Sequence, residues 1–238
     1  MTQDDSITTS TPPLADPPNQ PFPSDPMNED SAMAVLQRAD VPPELIEKLS
    51  KSSVATKSRK VKLAIVRHPK APRYVSLSVI RHLFTFDLMQ VALTPAIAGD
   101  LKIAAEEVLI NRLETISAGE KLSLARRASG RVAAMLLSDA EPRIVAAALE
   151  NPRLTEVLVT KALLVDEASQ QLVRAVCAHS KWSLRREIRI ALLRNAHTAA
   201  EHAIEFAKSL PDGLVREILQ NSDLPEDLKT CLMQSAVV

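Results

Sequence analysis

One helical unit is written into this chain three times, and that recurrence restricts the fold more than any other feature. Residues 59–69 read RKVKLAIVRHP, residues 142–152 read PRIVAAALENP and residues 186–196 read REIRIALLRNA. A shift of 127 positions lays Arg59 over Arg186, Val61 over Ile188, Lys62 over Arg189, Ala64 over Ala191 and Arg67 over Arg194. A shift of 44 lays Ile144 over Ile188, Ala147 over Ala191 and Asn151 over Asn195. Residues 170–180, QQLVRAVCAHS, are a weaker copy. Each copy starts basic or polar, carries an apolar stripe around a small Ala, and closes on His or Asn before a break. Apolar residues three and four apart share one face of an α-helix. Such a face, repeated along a chain, is buried by stacking one unit on the next.

Composition points the same way. There are four glycines, Gly99, Gly119, Gly130 and Gly213, and no two lie closer than eleven residues. Dinucleotide- and nucleotide-binding turns need closely spaced glycines, so those folds are excluded. Aromatics are 3% of the chain, too few for a β-sandwich or barrel. The Ala, Leu, Arg and Glu content suits helices. Breaks every eleven to fifteen residues predict helices of ten to fourteen residues in roughly six pairs. Ser117-x-x-Glu120, Thr198-x-x-Glu201 and Asp223-x-x-Glu226 read as N-terminal capping patterns. Pro43, Pro72 and Pro225 sit where a first helical turn accepts proline. The closing His and Asn residues suit a C-terminal cap, where Asn tolerates left-handed backbone.

Residues 1–30 differ from the rest. Seven of the sixteen prolines fall there among Ser, Thr, Asp and Asn, a composition that predicts a disordered tail. Residues 1–40 hold seven acids and one base, leaving 28 bases and 22 acids in the body. The first ten residues lack a signal-peptide pattern and no run of eighteen apolar residues occurs, so a cytoplasmic protein without membrane insertion is expected. Cys177 and Cys231 each fall in an apolar helical pattern and read as buried thiols.

The segments LAIVRHPKAPRYVSLSVIRHL, ALENPRLTEVLVTKAL and IALLRNAHTAAEHAIEFAKSL resemble HEAT-like repeats of the bacterial leucine-rich-repeat-variant type. In that group a helix ends in an Ala-Leu-x-Asn-Pro-x-Thr-Pro style turn. Asn151-Pro152 carries the turn best; Asn195-Ala196 lacks the proline and His68-Pro69 lacks the Asn. The resemblance covers roughly residues 55–235. It implies an all-α fold: an α-solenoid, a right-handed superhelix of HEAT-like helical-pair repeats over residues 31–238. Residues 31–50 would cap its N-terminus, and a helix from about Leu224 to Gln234 its C-terminus. Such families mostly supply surfaces for protein partners and share no catalytic residues.

No metalloprotease, hydrolase, phosphate-loop or calcium-loop motif is present. His68, His179 and His197 fall in or beside turns, where capping explains them, and no metal or cofactor is expected. The bases stand out instead. Arg59, Lys62 and Arg67 belong to one group, Arg126, Arg127 and Arg143 to a second, and Arg185, Arg186, Arg189 and Arg194 to a third beside Trp182. They are the candidate interaction surface. If repeat-equivalent positions share a face, Arg59, Lys62 and Arg67 extend the stripe of Arg186, Arg189 and Arg194. The expected function is a non-enzymatic scaffold for a protein partner of unknown identity. The alternative is a nucleic-acid binder using a basic stripe, with glycosylase-like chemistry around Trp182 as its remotest variant. Bases scattered or paired with Glu favour the first; bases gathered on one face favour the second.

Overall fold

The computed structural model describes residues 28–165 and 168–235. Among the described residues all regular structure is helical. In chain order it comprises α1 (Glu29–Leu36), α2 (Pro43–Ser50), α3 (Ser53–Lys57), α4 (Arg59–Arg67), α5 (Arg73–Ile80), α6 (Thr85–Leu93), α7 (Gly99–Arg112) and α8 (Ala118–Arg127). There follow α9 (Gly130–Met135), a 3-10 turn (Leu136–Ser138), α10 (Pro142–Leu149), α11 (Glu156–Leu163), α12 (Gln170–Ala178), α13 (Arg186–Arg194), α14 (Ala200–Lys208), α15 (Asp212–Gln220) and α16 (Glu226–Ser235). No described helix is long and apolar enough to cross a membrane.

Most helices run eight to ten residues, shorter and more numerous than their periodicity suggests. Serine accounts for several of the breaks. Ser52, Ser58, Ser129 and Ser169 each accept a hydrogen bond from a first-turn N–H and start a new helix where the apolar pattern runs on. Asn28 does the same for α1, so helix begins at Glu29, inside the segment read as tail. The rest of that Pro-rich segment, residues 1–27, lies outside the described residues. The Ser117–Glu120 capping box forms in both directions. The Thr198–Glu201 one does not: the Thr198 hydroxyl donates to the Leu192 carbonyl at 2.6 Å, and Ala199 is the N-cap of α14. Pro43 occupies the first turn of α2, whereas Pro72 is the N-cap of α5.

The closing His and Asn residues act differently from a left-handed cap. No described residue has positive φ. His68, His179 and Asn195 are extended, at φ −71°, −83° and −92°. Their side chains accept the N–H two residues on: Lys70 N–H to His68 Nδ1, Arg153 N–H to Asn151 Oδ1, Lys181 N–H to His179 Nδ1 and His197 N–H to Asn195 Oδ1. Asp139 and Ser222 repeat the pattern with Glu141 and Leu224. This is the Asx-turn geometry, extended here to imidazole and hydroxyl. Because the His68 Nδ1 accepts, its proton sits on Nε2, which donates to the Arg38 carbonyl at 2.9 Å.

The opposite end of these side chains reaches a neighbouring junction. Asn151 Nδ2 donates to the Ala125 and Ala128 carbonyls at 2.7 and 3.2 Å. Asn195 Nδ2 donates to Leu163, and the Ser222 hydroxyl to Leu193. These bonds satisfy carbonyls left over where a helix ends. They skip one helix each time, and packing follows them. Helix α5 packs on α7, α7 on α9, α9 on α11, α11 on α13 and α13 on α15; α4 packs on α6, α8 on α10, α10 on α12 and α14 on α16. Between them runs one apolar core, from Ala32 and Ile46 through Leu88, Leu109, Leu137 and Val159 to Phe206 and Leu232.

Gly130 marks the tightest approach. A Cβ there would lie 2.2 Å from the Arg153 carbonyl oxygen, so only glycine lets α9 start against that loop. Gly130→Ala is expected to cost about 2 kcal/mol through overpacking, although alanine is the better helix former. Asn151 is 1% exposed. Asn151→Ala strands two carbonyls and one N–H, and about 3 kcal/mol of destabilisation is expected. Urea denaturation followed by circular dichroism measures both; unchanged midpoints would contradict these roles.

Candidate interaction surface

The junctions between helices fall into two sets, each held together by its own bonds. In the first set, His68 after α4 bonds Arg38 after α1, and Arg73 entering α5 pairs with Asp100 entering α7. Farther along, Asn151 and Arg153 after α10 bond carbonyls of Ala125, Arg127 and Ala128 at the end of α8. The Trp182 indole N–H after α12 donates to the Leu149 carbonyl at 2.9 Å, and His179 Nε2 lies 3.2 Å from the Glu150 carboxylate.

In the second set, Arg59 entering α4 grips Asp87 entering α6, and Arg112 after α7 donates to the Arg81 and Leu83 carbonyls after α5. Lys121 in α8 pairs with Asp139 after α9 at 2.8 Å. Gln171 in α12 bonds the Asp139 carbonyl, Asn195 after α13 bonds the Leu163 carbonyl at the end of α11, and Asp223 N–H bonds the Arg194 carbonyl. Burial pushes the Asp139 carboxyl up, but the Lys121 ammonium and the Glu141 N–H together hold it below its ordinary range.

The candidate bases separate accordingly. Arg59 is committed to Asp87, through two bonds of 2.7 Å to a carboxylate that is 1% exposed. Arg143 pairs with Glu141 at 2.8 Å. Arg189 donates to the Ser183 carbonyl and lies over the Phe206 ring. Lys62 is half-buried beside Tyr74 and His82 in a cavity of about 310 Å³. Trp182 is 2% exposed and presents no open ring. Arg67, Arg126, Arg127, Arg185, Arg186 and Arg194 are exposed, and none makes an ion pair with a described residue.

The bonds between junctions do not link Arg59, Lys62 and Arg67 to Arg186, Arg189 and Arg194. Helices α4 and α13 are nine helices apart, and α10 and α13 are three apart. Both steps are odd, so helices alike in sequence start from opposite sets of junctions. Arg59 opens α4 in the second set, and Arg186 opens α13 in the first.

Instead, the first set collects Arg126, Arg127, Arg185 and Arg186 with two bases the repeat alignment passes over, Arg153 and Lys181. Arg153 donates to the Arg127 carbonyl, and the Lys181 ammonium stands 4.0 Å over the Trp182 ring. On segments 126–130, 150–156 and 179–187 there are six bases against the three acids Glu150, Glu156 and Glu187. On segments 138–143, 194–199 and 221–227 of the second set the balance reverses, with Arg143 and Arg194 against Asp139, Glu141, Asp223, Glu226 and Asp227. Helices α11 and α13 start in the first set without a side-chain N-cap bond, so the positive ends of their dipoles add to the bases.

No group of three or more His, Cys, Asp or Glu residues among the described residues is arranged to hold a metal ion. In comparisons with known proteins, no family model, no curated protein and no solved structure matches this chain.

The two cysteines part company as well. They form no disulfide; Cys177 is buried, but Cys231 lies on the exposed side of α16, whose core contact is Leu232. Burial, with a smaller contribution from Glu205, pushes the Cys177 thiol up to about 11. Alkylation of the folded protein at pH 8 should therefore modify Cys231 quickly and Cys177 only on unfolding. Two equally fast thiols by mass spectrometry would contradict this placement.

Proposed function

We propose that this chain is a non-enzymatic scaffold: a right-handed solenoid of HEAT-like helical pairs whose outer surface holds a protein partner. The observation that carries this reading is the bonding between alternate junctions. The bonds that span two helices cover similar lengths of chain: 28 residues for Arg59 to Asp87, 26 for Asn151 to Ala125, 33 for Trp182 to Leu149, 32 for Asn195 to Leu163 and 29 for Ser222 to Leu193, while His68 to Arg38, at 30, spans the three short helices α2 to α4. A near-constant step that spans two helices is what a stack of helical pairs requires.

Stacking also leaves helix faces without an intramolecular neighbour. Ile103 lies one turn from Glu107 on α7, and Met135 one turn from Arg131 on α9. Arg131 approaches Glu107 at 3.6 Å, which makes these two outer faces continuous. Ile103 and Met135 are 50% and 51% exposed on either side of that ion pair. Apolar groups among charges are the make-up of a protein-binding footprint.

Two measurements test the reading. A compact globule of this size has a radius of gyration of about 17 Å. Small-angle X-ray scattering of residues 28–238 should give a clearly larger value and an elongated distance distribution; a globular profile would rule out the solenoid. A photo-crosslinking residue at position 103 or 135 should capture a discrete partner in cells, whereas one at Glu217 should not. Identical capture profiles at all three positions would remove these faces from the proposal.

A further inference from the structure

We propose that the row of junctions following α8, α10 and α12 binds the phosphate backbone of a nucleic-acid duplex. This goes beyond the scaffold reading and uses a different surface. The row carries Arg126, Arg127, Arg153, Lys181, Arg185 and Arg186, all exposed. What makes it a surface, and not a scatter of solvated side chains, is that its three loops are bonded to one another. Asn151 Nδ2 to the Ala125 carbonyl and Arg153 Nη1 to the Arg127 carbonyl join the first loop to the second. Trp182 Nε1 to the Leu149 carbonyl joins the second to the third. The bases are held in fixed relation before any ligand arrives, so less ordering entropy opposes binding.

The chemistry of the row favours phosphate over other anions. Five of the six bases are arginines, whose planar forks suit phosphate oxygens. The helix carbonyls ending in this row are occupied by Asn151, Arg153 and Trp182, while α11 and α13 open there with no side-chain N-cap bond. Packed helices lie 8–10 Å apart, so three such loops span about 20 Å. A duplex carries one charge per about 1.7 Å of axis, so the row faces on the order of ten phosphates. Of the acids on these segments, Glu150 is 3.2 Å from His179, and Glu156 and Glu187 stand in first helical turns.

Two observations select the duplex. Single-stranded nucleic acid is held by aromatic side chains on which bases stack. The one aromatic of this row apart from His179 is Trp182, and it is buried. An acidic protein would need several apolar anchors at the centre of its footprint, and among the described residues of these loops Leu184 is a single exposed large apolar side chain among six bases. Binding through backbone charge alone is therefore independent of sequence.

The test is fluorescence anisotropy of the full chain with a labelled mixed-sequence duplex of twenty base pairs, from 50 to 200 mM NaCl. Six phosphate contacts predict a slope of log affinity against log salt of about −5. The variant Arg126→Glu, Arg185→Glu, Arg186→Glu removes bases that make no ion pair with a described residue, and circular dichroism checks its fold. It should weaken duplex binding by more than about tenfold and shift the slope by about three. Arg81→Glu with Arg194→Glu, on the second set of junctions, should change affinity less than about twofold. Four results would overturn the proposal: no binding at 50 mM NaCl, equal losses in the two variants, tighter binding of the same sequence as a single strand, or displacement of the duplex by polyglutamate at equal charge. None of them touches crosslinking at Ile103, so failure here is distinguishable from failure of the scaffold reading.

Discussion

The arrangement of these helices rests on one polar side chain used in two directions. Helices of eight or nine residues leave a large share of their backbone groups without an intrahelical partner. Asn151 shows how the chain deals with that: it accepts the N–H of its own loop and donates to the last carbonyls of the helix two places earlier. Asn195 and Ser222 do the same, and His68 joins its own loop to the Arg38 carbonyl beyond α1. A hydrophobic stripe would let neighbouring helices slide or rotate. A buried amide with three specified partners does not, because any slip strands a polar group out of water. Packing supplies the attraction and the closing residue supplies the register.

Much of this was legible in the sequence. The helical content follows from the apolar period, and Pro43 and the Ser117–Glu120 box mark helix starts where the structure has them. The His and Asn positions were recognisable as special, although their role is a bond across junctions, not a left-handed turn. What could not be read was phase. Copies related by shifts of 127 and 44 share an Ala-centred stripe and a closing polar residue, and helices on either side of the core need that same equipment. Similarity therefore tracks what a helix must bury, not which way it runs. The Arg59–Asp87 pair was hidden for a related reason: nothing near Asp87 in sequence announces that its carboxylate is buried.

The same alternation divides basic groups that gather along the chain between the two bonded sets. Read along the chain, bases gather near residues 60, 127 and 186. Read through the bonds between junctions, Arg59 belongs to one set with Asp87, while Arg186 enters α13 from the set that holds Arg127 and Arg153. Of the candidates, Arg59 and Arg143 are held in ion pairs, and Arg189 donates to a backbone carbonyl. Those that remain open lie at helix ends or in the turns beside them, where side chains are free to meet a ligand while the backbone beneath is held.

The odd spacing of the sequence copies also limits how such a chain can change in length. From α3 onward consecutive junctions belong to opposite bonded sets, so gaining or losing a single helix there would move every downstream loop into the other set. Arg153 and Arg186 would land among the acids of Asp139 and Asp223, and Asn195 would face a side holding no carbonyl meant for it. Two helices at a time leave each residue where its bonds need it. Heredity here is constrained by parity: the chain can grow in even steps, and an odd step is a different molecule.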